Sequence, residues 1–330
     1  MTRAAKRVRL EDVAAEVGLS PASVSLVLRG VAGPSAETRE RVLEAASRLG
    51  YRADRTASLL ARRRTHLLGV PVALRDAFRT ELAEEVQLAA DEVGYTVALS
   101  AITSVHDEAR VAETLLDLRC EALLLLSPAL SPAALTELGS RTALVVMGLH
   151  VAPDGFDVVR AADDIGVAAA VEHLAALGHR RIVHVDGGDA SMAADRRAGF
   201  LAASANLDAR VLPGGHDEAA GSAAAQELLH DLPTAVVAAN DRSAIGLLDV
   251  FVRAGVRVPQ DVSVVGYDDS ALARLTHIDL TTVSQESGQQ AARAVAAALE
   301  RLDQDREEDT ESVLSPRLVV RGTTGPPRAR

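Results

Sequence analysis

Side chains able to do chemistry fall in two parts of this sequence. Near the start, basic groups cluster: Arg3, Lys6, Arg7, Arg9 and Arg29. Guanidinium and ammonium groups in such density suit the phosphates of a polyanion. Further on stand His173, His179 and His184, the pair Asn240-Asp241 and the pair Asp268-Asp269. Those types could bind a metal or move protons, but their spacing opposes it. The histidines lack the H-E-x-x-H arrangement, and adjacent aspartates rarely converge on one bond. Gly187-Gly188 and Gly214-Gly215 lack the G-x-G-x-x-G spacing, and neither a P-loop nor a G-x-S-x-G elbow is present. The single cysteine, Cys120, excludes a disulfide framework and any multi-cysteine zinc or iron–sulfur site. Binding, without an enzyme's machinery, a metal or a cofactor, is the expectation.

The charge distribution sharpens it. The 330 residues carry a formal net charge of −11. Residues 1–65 hold 13 basic and 7 acidic side chains, net +6, and the remainder holds 22 and 39, net −17. A basic head on an acidic body implies that only the head meets a polyanion. No apolar run approaches the roughly 18 residues of a membrane helix. The stretch Met1 to Arg7 has no apolar signal-peptide core, so a cytoplasmic location is expected.

The elements that must position these groups follow from periodicity. Leu10, Val13, Ala14 and Val17 make one apolar helix face, closed by Gly18. Ser20-Pro21 reads as an N-cap followed by a first-turn proline, opening a helix over 21–28 with Val24, Val27 and Leu28 on one face. Ser35 caps a third helix carrying Val42, Ala45, Ala46 and Leu49. Three short helices with a tight turn between the first two predict a helix-turn-helix head. Beyond residue 65, strands are expected at 67–73, 95–99, 122–126, 143–147, 181–185, 235–239 and 262–266, with a last one near 317–321. Helices are expected at 79–93, 107–119, 164–177, 217–230, 241–254 and 287–301, with Asp241 as the cap of 241–254. Alternating strands and helices imply an α/β body of two parallel-sheet subdomains. Asp303 to Glu311 reads as a solvated acidic loop, and His179 as part of the turn before Arg180 and Arg181.

Several stretches match a known pattern in order. In the head these are Glu11-Asp12-Val13-Ala14, Gly18-Leu19-Ser20, Ser23-Val24-Ser25, Ser35-Ala36-Glu37-Thr38-Arg39, Leu49-Gly50-Tyr51 and Ala57-Ser58-Leu59-Leu60. In the body they include Leu177-Gly178-His179-Arg180-Arg181-Ile182, Arg196-Arg197-Ala198-Gly199-Phe200, Ala239-Asn240-Asp241 and Val258 to Asp269. Nearly the whole chain thereby resembles the lactose-repressor (LacI/GalR) family of transcriptional regulators. The resemblance implies a periplasmic-binding-protein-like effector domain. It divides the chain into a DNA-binding head (1–53), a hinge helix and linker (54–65) and an effector and dimerisation domain (66–330). That domain would have subdomains at about 66–160 with 287–314 and 161–286 with 315–325.

The same resemblance implies the partners and their contacts: a near-palindromic operator read by a homodimer, and a small-molecule effector of the sugar class. Helix 21–28 would enter the major groove. Its base-reading positions fall on Pro21, Ala22 and Leu26, which offer only apolar contacts, for example to thymine methyls. Ser20, Ser23, Ser25 and Arg29 remain as polar contacts, with Lys6 and Arg9 on phosphates. In the hinge, Thr56 and Ala57 would touch DNA and Leu60 would wedge into the minor groove. Ala53-Asp54 replaces the proline-asparagine often found there, and Asp54 would be repelled by phosphate. In the body the effector would lie between subdomains at the strand ends. The implied contacts are Arg196, Asn240 and Asp268, with Phe78, Ser127 and His216 lining the cleft. No leucine heptad tail for a four-chain assembly follows.

Overall fold

The computed structural model describes residues 8–28, 33–51, 64–188, 191–303, 306 and 308–328. It divides into two units, Met1–Thr65 and His66–Arg330. In the first, α1 (Leu10–Val17), α2 (Pro21–Leu28) and α3 (Ala36–Leu49) turn Val13, Ala14, Val17, Val24, Val27, Val42, Ala45 and Ala46 into one buried core. These are the residues on the apolar helix faces, so patterning alone positions the three helices. Gly18 ends α1 at φ 69°, where its N–H bonds Ala14 O, and this left-handed backbone lets α2 start three residues later. Ser20 Oγ accepts from Ser23 N at 3.2 Å and caps α2. Ser35 caps α3 through Thr38 N at 3.3 Å.

The second unit has two lobes. The first is built on a six-stranded parallel sheet ordered β11-β5-β4-β3-β1-β2. Its strands are β1 (Leu67–Val72), β2 (Thr96–Ala101), β3 (Ala122–Leu126), β4 (Ala143–Met147), β5 (Asp157–Ala161) and β11 (Glu311–Leu314). Side chains alternate across a sheet, so Leu124 and Leu126 face α4 (Ala77–Glu92) and α11 (Ser287–Asp303). Leu123 and Leu125 face α5 (Glu108–Asp117) and α6 (Pro132–Gly139). Both faces are covered, which is why β3 is apolar at every position.

The second lobe repeats the plan. Parallel strands run β7 (Asp208–Leu212), β6 (Arg181–Val185), β8 (Ala235–Ala238), β9 (Ser263–Val265). Val183, Val185, Val236 and Val264 pack on α9 (Glu218–Leu228) and α10 (Asp241–Arg253). Ile182, Val237 and Val265 pack on α7 (Asp163–Ala176) and α8 (Ser191–Ala203). α9 and α10 approach closely enough that a Cβ on Gly221 would overlap Ser243 O. β10 (Thr282–Ser284) and β12 (Arg317–Val319) pair antiparallel beside this sheet. The chain passes between lobes after β5, after β10 and between β11 and β12.

Two features differ from the sequence expectation. β5, α6, α8, β7, β10 and β11 are not among the elements expected from the sequence, although Ser131-Pro132 opens α6 with the same cap-and-proline signal as Ser20-Pro21. β7 (DARVL) and β11 (ESVL) are edge strands with half-exposed, polar-rich sequences. Their place is set by pairing with β6 and β5 rather than by propensity. The segment 303–311 is not a free acidic loop. Asp157, fully buried at the start of β5, accepts from Arg301 Nε (2.8 Å), Arg306 Nη2 (2.7 Å), Thr310 N (2.8 Å) and Thr310 Oγ1 (2.9 Å). Asp309 accepts from Gly155 N at 2.8 Å, and Glu311 pairs with Arg160 at 2.6 Å. Asp309 and Glu311 are thus used in fastening β11 to the sheet edge. Burial alone would raise the Asp157 carboxyl, but Arg301, Arg306 and Thr310 outweigh it and bring its pKa down to about 2.

Candidate functional site

In a parallel sheet every strand delivers its carboxyl end to the same edge. In the second lobe that edge collects Asp186 after β6, Asn240 after β8 and Asp268 after β9. Arg196, from the second turn of α8, reaches into it and is 2 % exposed. Its Nε donates to Asp163 Oδ1 at 2.9 Å and its Nη1 to Ala239 O at 2.6 Å. Nη2 stands 3.8 Å from Asp268 Oδ1, and the guanidinium lies 3.8 Å above the Tyr267 ring centroid. Burial would lower the guanidinium pKa, but Asp163, Tyr267 and Asp268 outweigh it, so Arg196 stays charged. Asp268 sits at φ 117° and accepts from Gln285 Nε2 at 2.7 Å. Its burial pushes the carboxyl well above the usual range; Arg196 opposes this, while Asp241 and Asp76 add to it.

Asn240 has a different task from the one its sequence context suggests. The sequence assigns the cap of this helix to Asp241; the structure assigns it to Asn240, whose Oδ1 accepts from Ser243 N at 2.9 Å. Its Nδ2 donates to His216 O at 3.0 Å, tying the loop before α9 to this edge. Asp241 is instead the first helical residue, fully buried, accepting from Ser270 N (2.7 Å), Ser270 Oγ (2.9 Å) and Thr282 Oγ1 (2.5 Å). It holds the loop after β9, and with it Asp268, in place. His216 Nε2 is buried with no hydrogen-bond partner among the described residues. Burial, with Arg196 and Arg79, pushes its pKa down and keeps it neutral. A Cβ on Gly187 would lie 2.5 Å from the His216 ring, so glycine there makes room for the imidazole.

The first lobe contributes the facing wall. Asp76 caps α4 through Arg79 N at 3.1 Å, and Arg79 lies 3.6 Å from it. Both act electrostatically on His216, and Asp76 on Asp268, so the start of α4 faces the second lobe's strand ends. Phe78 lies in that turn, half-buried against the first-lobe core. Ser127 follows β3 at φ 48° with its N–H on Met147 O at 2.8 Å. Two contacts bridge the lobes directly. Glu81 accepts from Ala271 N (2.6 Å) and Arg274 Nη2 (2.7 Å), and His150 Nδ1 meets Asp195 Oδ2 at 2.7 Å. Sequence reasoning missed Asp163, Tyr267, Asp76 and Gln285. Asp163 reads only as an acidic first-turn residue, and no local signal couples it to Arg196.

In the head, Arg9, Ser20, Pro21 and Ala22 are exposed, and Ser23, Ser25 and Leu26 are half-buried. Ser23 Oγ and Ser20 Oγ share a hydrogen bond at 2.9 Å, which fixes both hydroxyls at the start of α2. Lys6, Arg29, Thr56, Ala57 and Leu60 lie outside the described residues. No group of three or more His, Cys, Asp or Glu side chains is placed to hold a metal among the described residues, and none of their helices is long and apolar enough to cross a membrane.

A helix-turn-helix head joined to a two-lobed α/β sensor defines a ligand-responsive, DNA-binding transcriptional regulator. The comparisons with known proteins agree on both parts. Residues 9–54 match the family described as bacterial regulatory proteins, lacI family, and residues 171–324 match the periplasmic binding protein-like domain. An uncharacterized HTH-type transcriptional regulator in the aml 5′ region of Streptomyces limosus is 34% identical, covering 96% of this chain and 94% of its own. The lac repressor dimer bound to operator and the anti-inducer ONPF superposes with TM-score 0.81 at 28% identity, covering 97% of this chain and 100% of that one. A transcriptional regulator CelR–cellobiose complex gives TM-score 0.70 at 29% identity, covering 96% and 100%. The chain belongs to the lacI family of bacterial regulatory proteins.

Proposed function

We propose that this regulator is a cytoplasmic homodimeric repressor of carbohydrate-related genes, without enzymatic activity of its own. Two heads read the half-sites of a near-palindromic operator. α2 enters the major groove, with Pro21, Ala22 and Leu26 against apolar base surfaces. Ser20, Ser23, Ser25 and Arg29 meet phosphates or base edges, and Lys6 and Arg9 meet phosphates. Residues 54–65 form the hinge, where Thr56 and Ala57 contact DNA and Leu60 wedges open a minor-groove step. The operator-bound dimer among the relatives supports this reading.

The unit 66–330 is the sensor, with subdomains 66–160 with 287–314 and 161–286 with 315–325. A sugar or sugar derivative binds between them, as the cellobiose complex of a relative suggests. Arg196 and Asp268 supply a donor and an acceptor for its hydroxyls, and Asn240, His216, Phe78 and Ser127 line the space. The observation that carries the reading is the buried Arg196–Asp268 group at the carboxyl ends of the second-lobe strands, faced by the start of α4. Charged groups so deeply buried at a cleft wall suit a polar ligand better than they suit stability. Selection of the full chain on random palindromic DNA, followed by mobility shift, tests it. The expected result is a site bound at least about 1,000-fold tighter than bulk DNA. Equal affinity for all sequences would overturn the operator reading.

A further inference from the structure

The outward side of α2 bears on how a base edge can be read. At about 100° per residue, Val24, Val27 and Leu28 share one side of the helix, and Pro21, Ala22, Ser25 and Leu26 share the opposite side. The first set belongs to the head's core: Val24 and Val27 are buried, and Leu28 packs against that core. Of the second set, Pro21 and Ala22 are exposed, and Ser25 and Leu26 are half-buried. The sequence of α2, PASVSLVL, holds no charged and no amide side chain. It therefore lacks guanidinium and carboxamide, the forked groups that tell one base edge from another by paired hydrogen bonds. The hydroxyls at its start are already committed. Ser20 Oγ accepts from Ser23 N at 3.2 Å and shares a hydrogen bond with Ser23 Oγ at 2.9 Å.

In the major groove, thymine and cytosine differ in two separate features. Thymine presents a C5-methyl group beside an O4 acceptor, and cytosine presents an N4 amino donor and no methyl group. Pro21, Ala22 and Leu26 can take a methyl group out of water, but they offer nothing to O4 or to N4. Ser25 is the one polar side chain on that side of α2. A hydroxyl can donate to O4 or accept from N4, so it does not separate the two bases. The methyl group is then the feature this helix can distinguish. 5-Methylcytosine combines the methyl group of thymine with the amino group of cytosine, and on this face it is equivalent to thymine.

We propose that α2, with Leu26 as its largest contact, reads the C5-methyl groups of operator pyrimidines and ignores the exocyclic group beside them, so that cytosine methylation at these positions tightens the complex. This rests on α2 being the helix that enters the major groove. The experiment takes the tightest duplex recovered by selection of the full chain on random palindromic DNA. In one half-site, each thymine is replaced in turn by uracil, by 5-methylcytosine and by cytosine, with guanine opposite the last two. Mobility shift of the full chain gives the affinities. At one position or more, thymine and 5-methylcytosine should bind within about twofold of each other. Uracil and cytosine should bind about fourfold more weakly there, the effect of leaving one methyl group in water. In Leu26→Ala the margin of thymine over uracil should shrink, with affinity for bulk DNA unchanged. Uracil equal to thymine at every position would overturn the proposal. So would 5-methylcytosine as weak as cytosine at every methyl-sensitive position, which would show that the exocyclic group is read, or an undiminished margin in Leu26→Ala. If a duplex is selected but shows no methyl dependence, this inference alone is wrong; if no duplex is preferred, the operator reading fails with it.

Discussion

At the residue scale, the sensor depends on charges buried in pairs. Arg196 is held by Asp163, Ala239 O and the Tyr267 face, so its removal strands two carboxylates away from water. Arg196→Ala should lower stability by about 3–5 kcal/mol, seen as a reduced urea midpoint, and should abolish the ligand response. A variant as stable as the parent would mean that Arg196 is not the hub of that group. Asp157 is the second such centre. Its carboxyl pKa is about 2 in the fold, against about 3.8 unfolded, so it contributes stability that is present above pH 4 and lost as pH falls toward 2. The contribution is roughly 2 kcal/mol. Asp157→Asn should therefore be less stable than the parent at pH 7, and the gap should narrow between pH 4 and pH 2; a constant gap would contradict the assignment. The two centres were unequally legible. Arg196 stands in a recognisable motif, but Asp163 lies 33 residues away and nothing local joins them. Asp157 was missed because its arginines come from α11 and the segment beyond it, 144 and 149 residues on.

At the element scale, apolar spacing sufficed wherever an element buries a full face. α1, α2, α3 and the strands β1, β3, β4, β6 and β8 follow from their own residues. Edge strands such as β7 and β11 do not, because half of each faces solvent and pairing decides them. Nor could local sequence choose between Asn240 and Asp241 as the cap of α10. Both are good capping residues, and Asp241 is claimed by Ser270 and Thr282 from a distant loop. The C-terminal strap is likewise non-local. His173 Nε2 meets Thr324 Oγ1 at 3.0 Å, and His179 Nε2 donates to Gly325 O at 2.9 Å, leaving a buried Nδ1 with no partner among the described residues. Burial lowers the pKa of both, and that of His184 to about 4. An imidazole whose pKa is depressed by folding contributes fully above about pH 6.5 and loses that contribution as pH falls below it. The contribution of these imidazoles to the unfolding free energy should thus be level from pH 8 to 7 and decline between pH 6.5 and 4.5. The decline should be shallower in His179→Gln, and an identical slope in the two proteins would contradict this origin.

At the scale of the whole molecule, a net charge of −11 conceals a division of labour. The positive residues needed for phosphate contact are concentrated before residue 65, and the sensor carries the negative excess, which disfavours unspecific contact with DNA. Operator affinity should fall steeply with salt, with a slope in log K of about −0.9 per phosphate neutralised. The lobes of the sensor are joined by three chain crossings and by the Glu81–Arg274 and His150–Asp195 contacts, so a ligand between them can bias their spacing. Ligand and operator should be coupled through a change in lobe spacing, and thermodynamic linkage makes the coupling reciprocal. The most direct test is a pair of affinities on one preparation: operator affinity with and without a saturating sugar ligand, and ligand affinity with and without saturating operator. The two ratios should agree and differ from one by about fivefold or more. Ratios of one in both directions would show a ligand and an operator that ignore each other, and would rule out a ligand-responsive regulator.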